Sequence, residues 1–135
     1  MGKGEAEMKT EKRVISTEAA PKPVGPYSQG ILAGETFFCA GQIGIDPKVG
    51  ALVDGGVEAE TDQVIRNLGA VLQAAGMTYG DVVMASVFLR DMNDFATMNA
   101  VYGRYFSTMA PARQAIAVRG LPGNANVEIS LVAVR

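Results

Sequence analysis

The chain has 135 residues, 48% apolar and 19% charged, which suits one domain with a substantial core. A formal net charge of −2, with no Lys/Arg block, offers no phosphate-binding footprint and argues against nucleic acid as a partner. With no histidine and one cysteine, Ser-His-Asp triads, Cys-His dyads, His-Cys zinc sites and intrachain disulfides are excluded.

Residues 1–13 are polar, mix both charges and lack periodicity, so they read as a mobile tail ahead of a single domain spanning 14–135. They also lack the apolar stretch of a signal peptide, and no apolar run reaches the roughly 20 residues of a spanning helix, so a cytoplasmic protein with no membrane partner is expected. Residues 31–33 and 36–40 flank Gly34-Glu35, a Gly-X pair suited to a type II′ hairpin. Cys39 lies inside that apolar second strand and reads as an inert buried thiol.

Over residues 57–75 the apolar side chains Val57, Val64, Ile65, Leu68, Val71, Leu72 and Ala75 recur at helical spacing, with Gly76 at the C-terminal stop. Residues 82–89 form a β-branched apolar run and predict a central strand covered on both faces. A second helix starts near Asp91 or Asn93, with Phe95, Met98, Tyr102, Tyr105 and Phe106 on one stripe. Two strands follow, 114–119 and 126–134, joined by Leu121-Pro122-Gly123-Asn124.

The order ββαβαββ, with room for a short strand before it, predicts an α+β fold in which two crossovers lay both helices on one face of a mixed sheet. In the last strand Val127, Ile129, Leu131 and Ala133 take one face, and Val132 and Val134 the other. The second face therefore needs cover, and self-association is the economical way to supply it.

Two side chains stand out for chemistry. Glu128 is the single acidic residue after Phe95 and interrupts an apolar alternating strand, where a carboxylate is costly unless paired; it is either a structural ion-pair member or a general base. Arg113 follows Ala110-Pro111-Ala112 at the approach to a strand, where it is either an ordinary surface arginine or a carboxylate clamp, with Arg119 as its competitor. If 121–124 is a four-residue hairpin loop, Ala117 faces Glu128, and Arg113 shares the face of Glu128 about 13 Å along. Gly41 offers an uncluttered backbone amide or simply a bend. No Walker-type or dinucleotide-binding glycine pattern is present, and Asp46, Asp91 and Asp94 lack metal-ligand spacing.

Taken in order, Gly25-Pro26-Tyr27-Ser28-Gln29-Gly30, Ala40-Gly41-Gln42-Ile43, Asn93-Asp94-Phe95-Ala96-Thr97-Met98-Asn99, Pro111-Ala112-Arg113 and Val127-Glu128-Ile129 closely resemble the RidA/YjgF family of enamine/imine deaminases. The similarity covers residues 16–135. It implies a chorismate-mutase-like α+β fold, a homotrimer with clefts at subunit boundaries, and no metal or other cofactor. It also implies hydrolysis of 2-iminobutanoate and 2-iminopropanoate, reactive products of pyridoxal-phosphate dehydratases, to 2-oxo acids and ammonia, a form of metabolite damage control.

By the same resemblance, Arg113 holds the substrate carboxylate, Glu128 activates water, and Tyr27, Gly41 and Asn99 line the cleft, with the backbone of Ala115 beside the water. Gln114 and Ala115 stand where the family commonly has Ser or Thr and then Cys; Gln114 points away from Arg113, so it bears on packing rather than chemistry. The alternative is a non-catalytic trimer that binds small carboxylates as a regulator or chaperone.

Overall fold

Gly34 takes φ 62 while Glu35 stays out of the left-handed region, so the first hairpin closes with the backbone signs of a type II′ turn. It joins β2 (Gly30–Ala33) to β3 (Thr36–Gln42), paired antiparallel from Gly30 opposite Cys39 to Ala33 opposite Thr36. The computed structural model describes residues 11–135. A strand precedes the hairpin: β1 (Lys12–Ile15) pairs antiparallel with β2 and begins two residues inside the segment read as a tail. Residues 1–10 of that segment lie outside the described residues.

After β3 comes a small hairpin that the sequence reading did not resolve, β4 (Ile45–Asp46) with β5 (Ala51–Leu52). Each strand is two residues long, too short to show alternation, and Asp46 closes the turn by accepting from the Lys48 and Gly50 amides. Helix α1 (Gly56–Ala74) then follows the predicted periodicity and buries Val64, Ile65, Leu68, Val71 and Leu72. It ends in a Schellman motif: Gly76, at φ 75, and Met77 donate to the carbonyls of Gln73 and Leu72.

Strand β6 (Val82–Leu89) matches its predicted bounds, and α2 (Phe95–Tyr105) follows a short 3-10 turn whose Asn93 amide donates to the Asp91 side chain. β7 (Ala112–Ala117) starts and ends two residues earlier than expected, so Arg113 lies within it. β8 (Val127–Val134) closes the chain.

The six long strands form one sheet in the order β1-β2-β3-β8-β6-β7. Only β6 and β7 pair in parallel; the other neighbours are antiparallel, so the sheet is mixed. β6 has strands on both sides, as expected, but is covered on one face only: Ala85, Val87 and Leu89 are buried and the alternate residues half-exposed. Both helices lie over that face, where Met98, Tyr102 and Phe106 join Val127, Ile129 and Leu131 in the core. Cys39 is buried there and its thiol is pushed up to about 12 by loss of hydration, so it is inert, as read.

Among the described residues nothing covers the opposite face. Val14, Ile31, Phe38, Val132 and Met84 form one row across five strands, with Val14 63% and Phe38 47% exposed. Leu68→Ala, at a fully buried point of α1, should cost about 2–5 kcal/mol in chemical denaturation. A loss below about 1 kcal/mol would mean that the helix face is not packed as described.

Candidate active site

The expected hairpin between the last two strands does not form. β6 lies between β7 and β8, so Ala117 sits opposite Leu89 and Glu128 sits opposite Phe88. Across the sheet, Glu128 shares a row with Phe88 and Ile116, and Arg113 shares one with Ala85 and Leu131. Since Leu131 is three residues from Glu128, the two rows point to opposite faces. Arg113 therefore does not share a face with Glu128: it points toward the helices and Glu128 toward the bare side. Their Cα atoms are further separated by two strand spacings, about 10 Å, and by three residues, about another 10 Å along the strands. A molecule of a few heavy atoms cannot touch both within one chain.

Each residue has its own surroundings. Glu128 lines a cavity of about 390 Å³ whose other walls include Tyr27, Gly41, Ile43, Pro122 and Lys22. The register shift in β3 between Cys39 and Gln42 puts Gly41 against Glu128, where a Cβ would run into the carboxylate, 2.9 Å from its Cδ. The bare glycine is what lets the carboxylate sit against the β3 backbone. Tyr27 is 49% exposed, and its hydroxyl accepts from the Val24 amide at 3.4 Å. The rim before it is rigid: the buried Gln29 amide donates to the carbonyls of Thr17, Ala20 and Pro21 and accepts from the Thr17 amide. Glu128 has no hydrogen bond or ion pair among the described residues, and burial holds its carboxyl above the usual carboxylate range.

Arg113 occupies the other surroundings. Its guanidinium lies 4.7 Å from the Tyr102 ring centroid and 5.6 Å from that of Phe95, a cation–π cradle supplied by α2. The Tyr102 hydroxyl is buried without a partner among the described residues. Asn99, one turn from each ring, is exposed on the same side of α2. Ala115 follows Arg113 on the same strand face, half-buried against the core. Arg119 lies exposed beyond the end of β7. Gln114 does point away from Arg113, and its amide donates to the Ser86 hydroxyl at 3.2 Å.

The six residues singled out in the sequence thus fall into two groups, Tyr27, Gly41 and Glu128 in one and Arg113, Asn99 and Ala115 in the other. Lys22 and Pro122 in the first group, and the Phe95 and Tyr102 cradle in the second, went unrecognised as site residues. The aromatic pair was visible as an i, i+7 spacing around Asn99, but the same spacing also describes a core stripe.

A family model described as endoribonuclease L-PSP matches residues 17–135. The chain belongs to the RidA/YjgF family. It is 52% identical over 124 residues to a RutC family protein of Pyrococcus horikoshii, covering 92% of this chain and 98% of that protein. It is 47% identical over 124 residues to the human 2-iminobutanoate/2-iminopropanoate deaminase, covering 92% of this chain and 90% of the human one. Among solved structures, RidA from Psychrobacter superposes with a TM-score of 0.88 at 39% identity, covering 91% of this chain and 99% of that one. E. coli TdcF, solved with bound serine, also gives 0.88, at 36% identity over 91% and 98% of the two chains.

Because the folded chain binds a proton at Glu128 more tightly than the unfolded chain does, that group favours folding at low pH. The benefit is lost as pH rises through the raised folded value, and at neutral pH the ionised group is a burden. Glu128→Gln should therefore melt above the wild type at neutral pH, with the gap shrinking as pH falls below the ordinary glutamate range. Thermal melts across that range check it, and a variant that melts below the wild type at neutral pH would contradict it.

Proposed function

We propose that the protein is a homotrimeric hydrolase of small 2-imino acids, turning 2-iminobutanoate and 2-iminopropanoate into 2-oxo acids and ammonia. The observation that carries this reading is the unpaired Glu128 carboxylate in a largely apolar cavity beside a bare glycine backbone, in a chain 47% identical to a protein named for that activity. The serine bound by TdcF, a small molecule carrying a carboxylate and an amine, supports a substrate of the same class.

The chemistry asks little of the protein. An imine carbon is already electrophilic, so binding, a placed water and a proton acceptor are sufficient. Glu128 takes a proton as the water oxygen bonds to the imine carbon, and returns it to nitrogen. The resulting carbinolamine then gives its hydroxyl proton to nitrogen through the same carboxylate, and as the C–N bond breaks the C=O of the 2-oxo acid forms and ammonia leaves. A carboxyl raised by burial is closer to neutrality than an exposed one, which suits a group that must both take and give a proton. Ile43 and Pro122 offer an apolar wall to a short aliphatic side chain.

Arg113 is the carboxylate clamp in this reading, held ready by Phe95 and Tyr102 and lacking an ion pair among the described residues. Because it faces away from Glu128, the complete site takes Arg113, Asn99 and Ala115 from one copy and Tyr27, Gly41 and Glu128 from the next. The bare apolar sheet face gives the copies a reason to associate. Head-to-tail pairing of unlike surfaces closes into a ring, of which a trimer is the form implied by the family. The family model's description names an endoribonuclease, but the chain has net charge −2 and no Lys/Arg block along its sequence, so nothing there favours RNA.

Purified protein added to a threonine dehydratase reaction should accelerate 2-oxobutanoate release. Arg113→Ala should lower kcat/KM by about 10- to 100-fold, the worth of a charge-assisted pair. Glu128→Gln should lower kcat by about 10²- to 10⁴-fold while calorimetric binding of a 2-oxo acid persists. No acceleration by the wild type sinks the deaminase reading, and turnover insensitive to Glu128 denies that residue its role.

A further inference from the structure

The start of β8, which carries Glu128, is paired on one side only, unlike the middle of that strand. β3 pairs with β8 only as far as Gln42 opposite Ile129, so Val127 and Glu128 have a paired neighbour on the β6 side alone. Just upstream, Gly123 and Asn124 take left-handed backbone at φ 63 and 59, and residues 121–126 belong to no sheet. Strand ends of this kind open at low cost. Glu128 depends on this strand end for its place, because its carboxylate lies against the Gly41 backbone, where a Cβ would be, at the wall of the cavity.

A side-chain network secures this end. The Asn126 backbone amide donates to Glu60 Oε1 at 2.7 Å, the Asn126 Nδ2 donates to Glu60 Oε2, and the Asn126 Oδ1 accepts from Arg90 Nη2 at 2.8 Å. Arg90 Nη1 donates to both the side-chain and main-chain oxygens of Asn124, and the Arg90 backbone amide donates to the Asn126 carbonyl at 3.0 Å. Three elements meet there: α1 through Glu60, the end of β6 through Arg90, and the loop leading into β8. Glu60 is 2% exposed and pairs with no cation among the described residues, a costly placement unless both oxygens are engaged.

The polarity of the network explains why the residue is an acid. Arg90 can only donate, so it fixes the Asn126 carbonyl toward itself and turns the Asn126 NH₂ toward α1. The partner on α1 must then accept twice, once from that NH₂ and once from the backbone amide. A glutamine would set one NH₂ against another, or make Asn126 turn over and lose Arg90.

We propose that Glu60, Asn126 and Arg90 are positioning residues for the reaction, locking the start of β8 so that the Glu128 carboxylate and the Pro122 wall stay fixed around the attacking water. The proposal rests on Glu128 being the proton acceptor. None of the three touches the substrate; they act through the strand. Loosening the strand end lets water reach Glu128 and brings its titration down toward the ordinary range. The other titratable groups lining that cavity are Lys22 and Tyr27, both on the rim before β2; the β3 and Pro122 walls bring none.

The test is the pH dependence of imine hydrolysis by the full-length protein. Glu60→Gln should lower kcat about 10-fold or more with KM changed less than about two-fold, since the carboxylate clamp is untouched, and should shift the acid limb to lower pH. In Glu60→Gln with Asn126→Asp, the new amide donates to the new carboxylate, which still accepts from Arg90, so both kcat and the acid limb should recover. Arg90→Met, at an exposed position, should move both in the same direction as Glu60→Gln and decides the matter if Glu60→Gln fails to fold. The proposal is overturned if folded single variants keep the wild-type kcat and acid limb, whatever happens to their melting temperature. It is also overturned if the double variant melts like the wild type but stays slow. A wild type without turnover removes the functional reading and this proposal with it; a wild type that turns over beside unchanged variants removes this proposal alone.

Discussion

The period-two alternation of β8 governs the rest of the molecule. Its odd residues, Val127, Ile129, Leu131 and Ala133, are sealed under the helices, and its even residues, from Glu128 to Val134, are turned to the bare side. One carboxylate in the second set is therefore held against a sheet surface with no helix over it. The same alternation, carried through β6 into β7, sends Arg113 the other way. A one-residue slip of either strand would reverse those directions, and the buried rows of Val, Ile and Leu oppose such a slip.

From that constraint the proposed assembly follows. The cavity with Glu128 has apolar walls, a bare glycine backbone and an unpaired carboxylate; the cradle with Arg113 has a cation stacked on two rings. Each is half of what a 2-imino acid requires, and the register keeps the halves apart within a chain. Two copies meeting head to tail would join them and cover part of the apolar row from Val14 to Met84. In this reading the uncovered face and the divided site share one cause, and Glu60, Asn126 and Arg90 secure the strand end where the demand for precision is highest.

Much of this was legible in the sequence. The periodicity of α1, the glycine that stops it, the bounds of β6 and the two faces of β8 all came from local patterns, because burial on one side writes itself into residue spacing. Pairing partners were another matter. The Pro-Gly-Asn turn reads as a hairpin, yet β8 inserts between β3 and β6, and nothing in the spacing of residues 112–134 distinguishes those arrangements. The error over the shared face of Arg113 and Glu128 follows from that alone. The β4-β5 hairpin was hidden because two-residue strands carry no alternation, and Glu60 because an acid among apolar helix positions looks solvent-facing until its partners 66 residues away are in place.

The measurement that bears most directly on the divided site is complementation between impaired variants. Arg113→Ala and Glu128→Gln, each strongly impaired alone, are mixed one to one, unfolded and refolded together, and assayed for 2-oxobutanoate release at subsaturating substrate. With the site shared between neighbouring copies in a ring, about a quarter of the sites regain both residues by random assortment, and activity should rise to about that fraction of the wild type. If both residues act within a single chain, or if the neighbour contributes neither, the mixture will show no more than the average of its two parents.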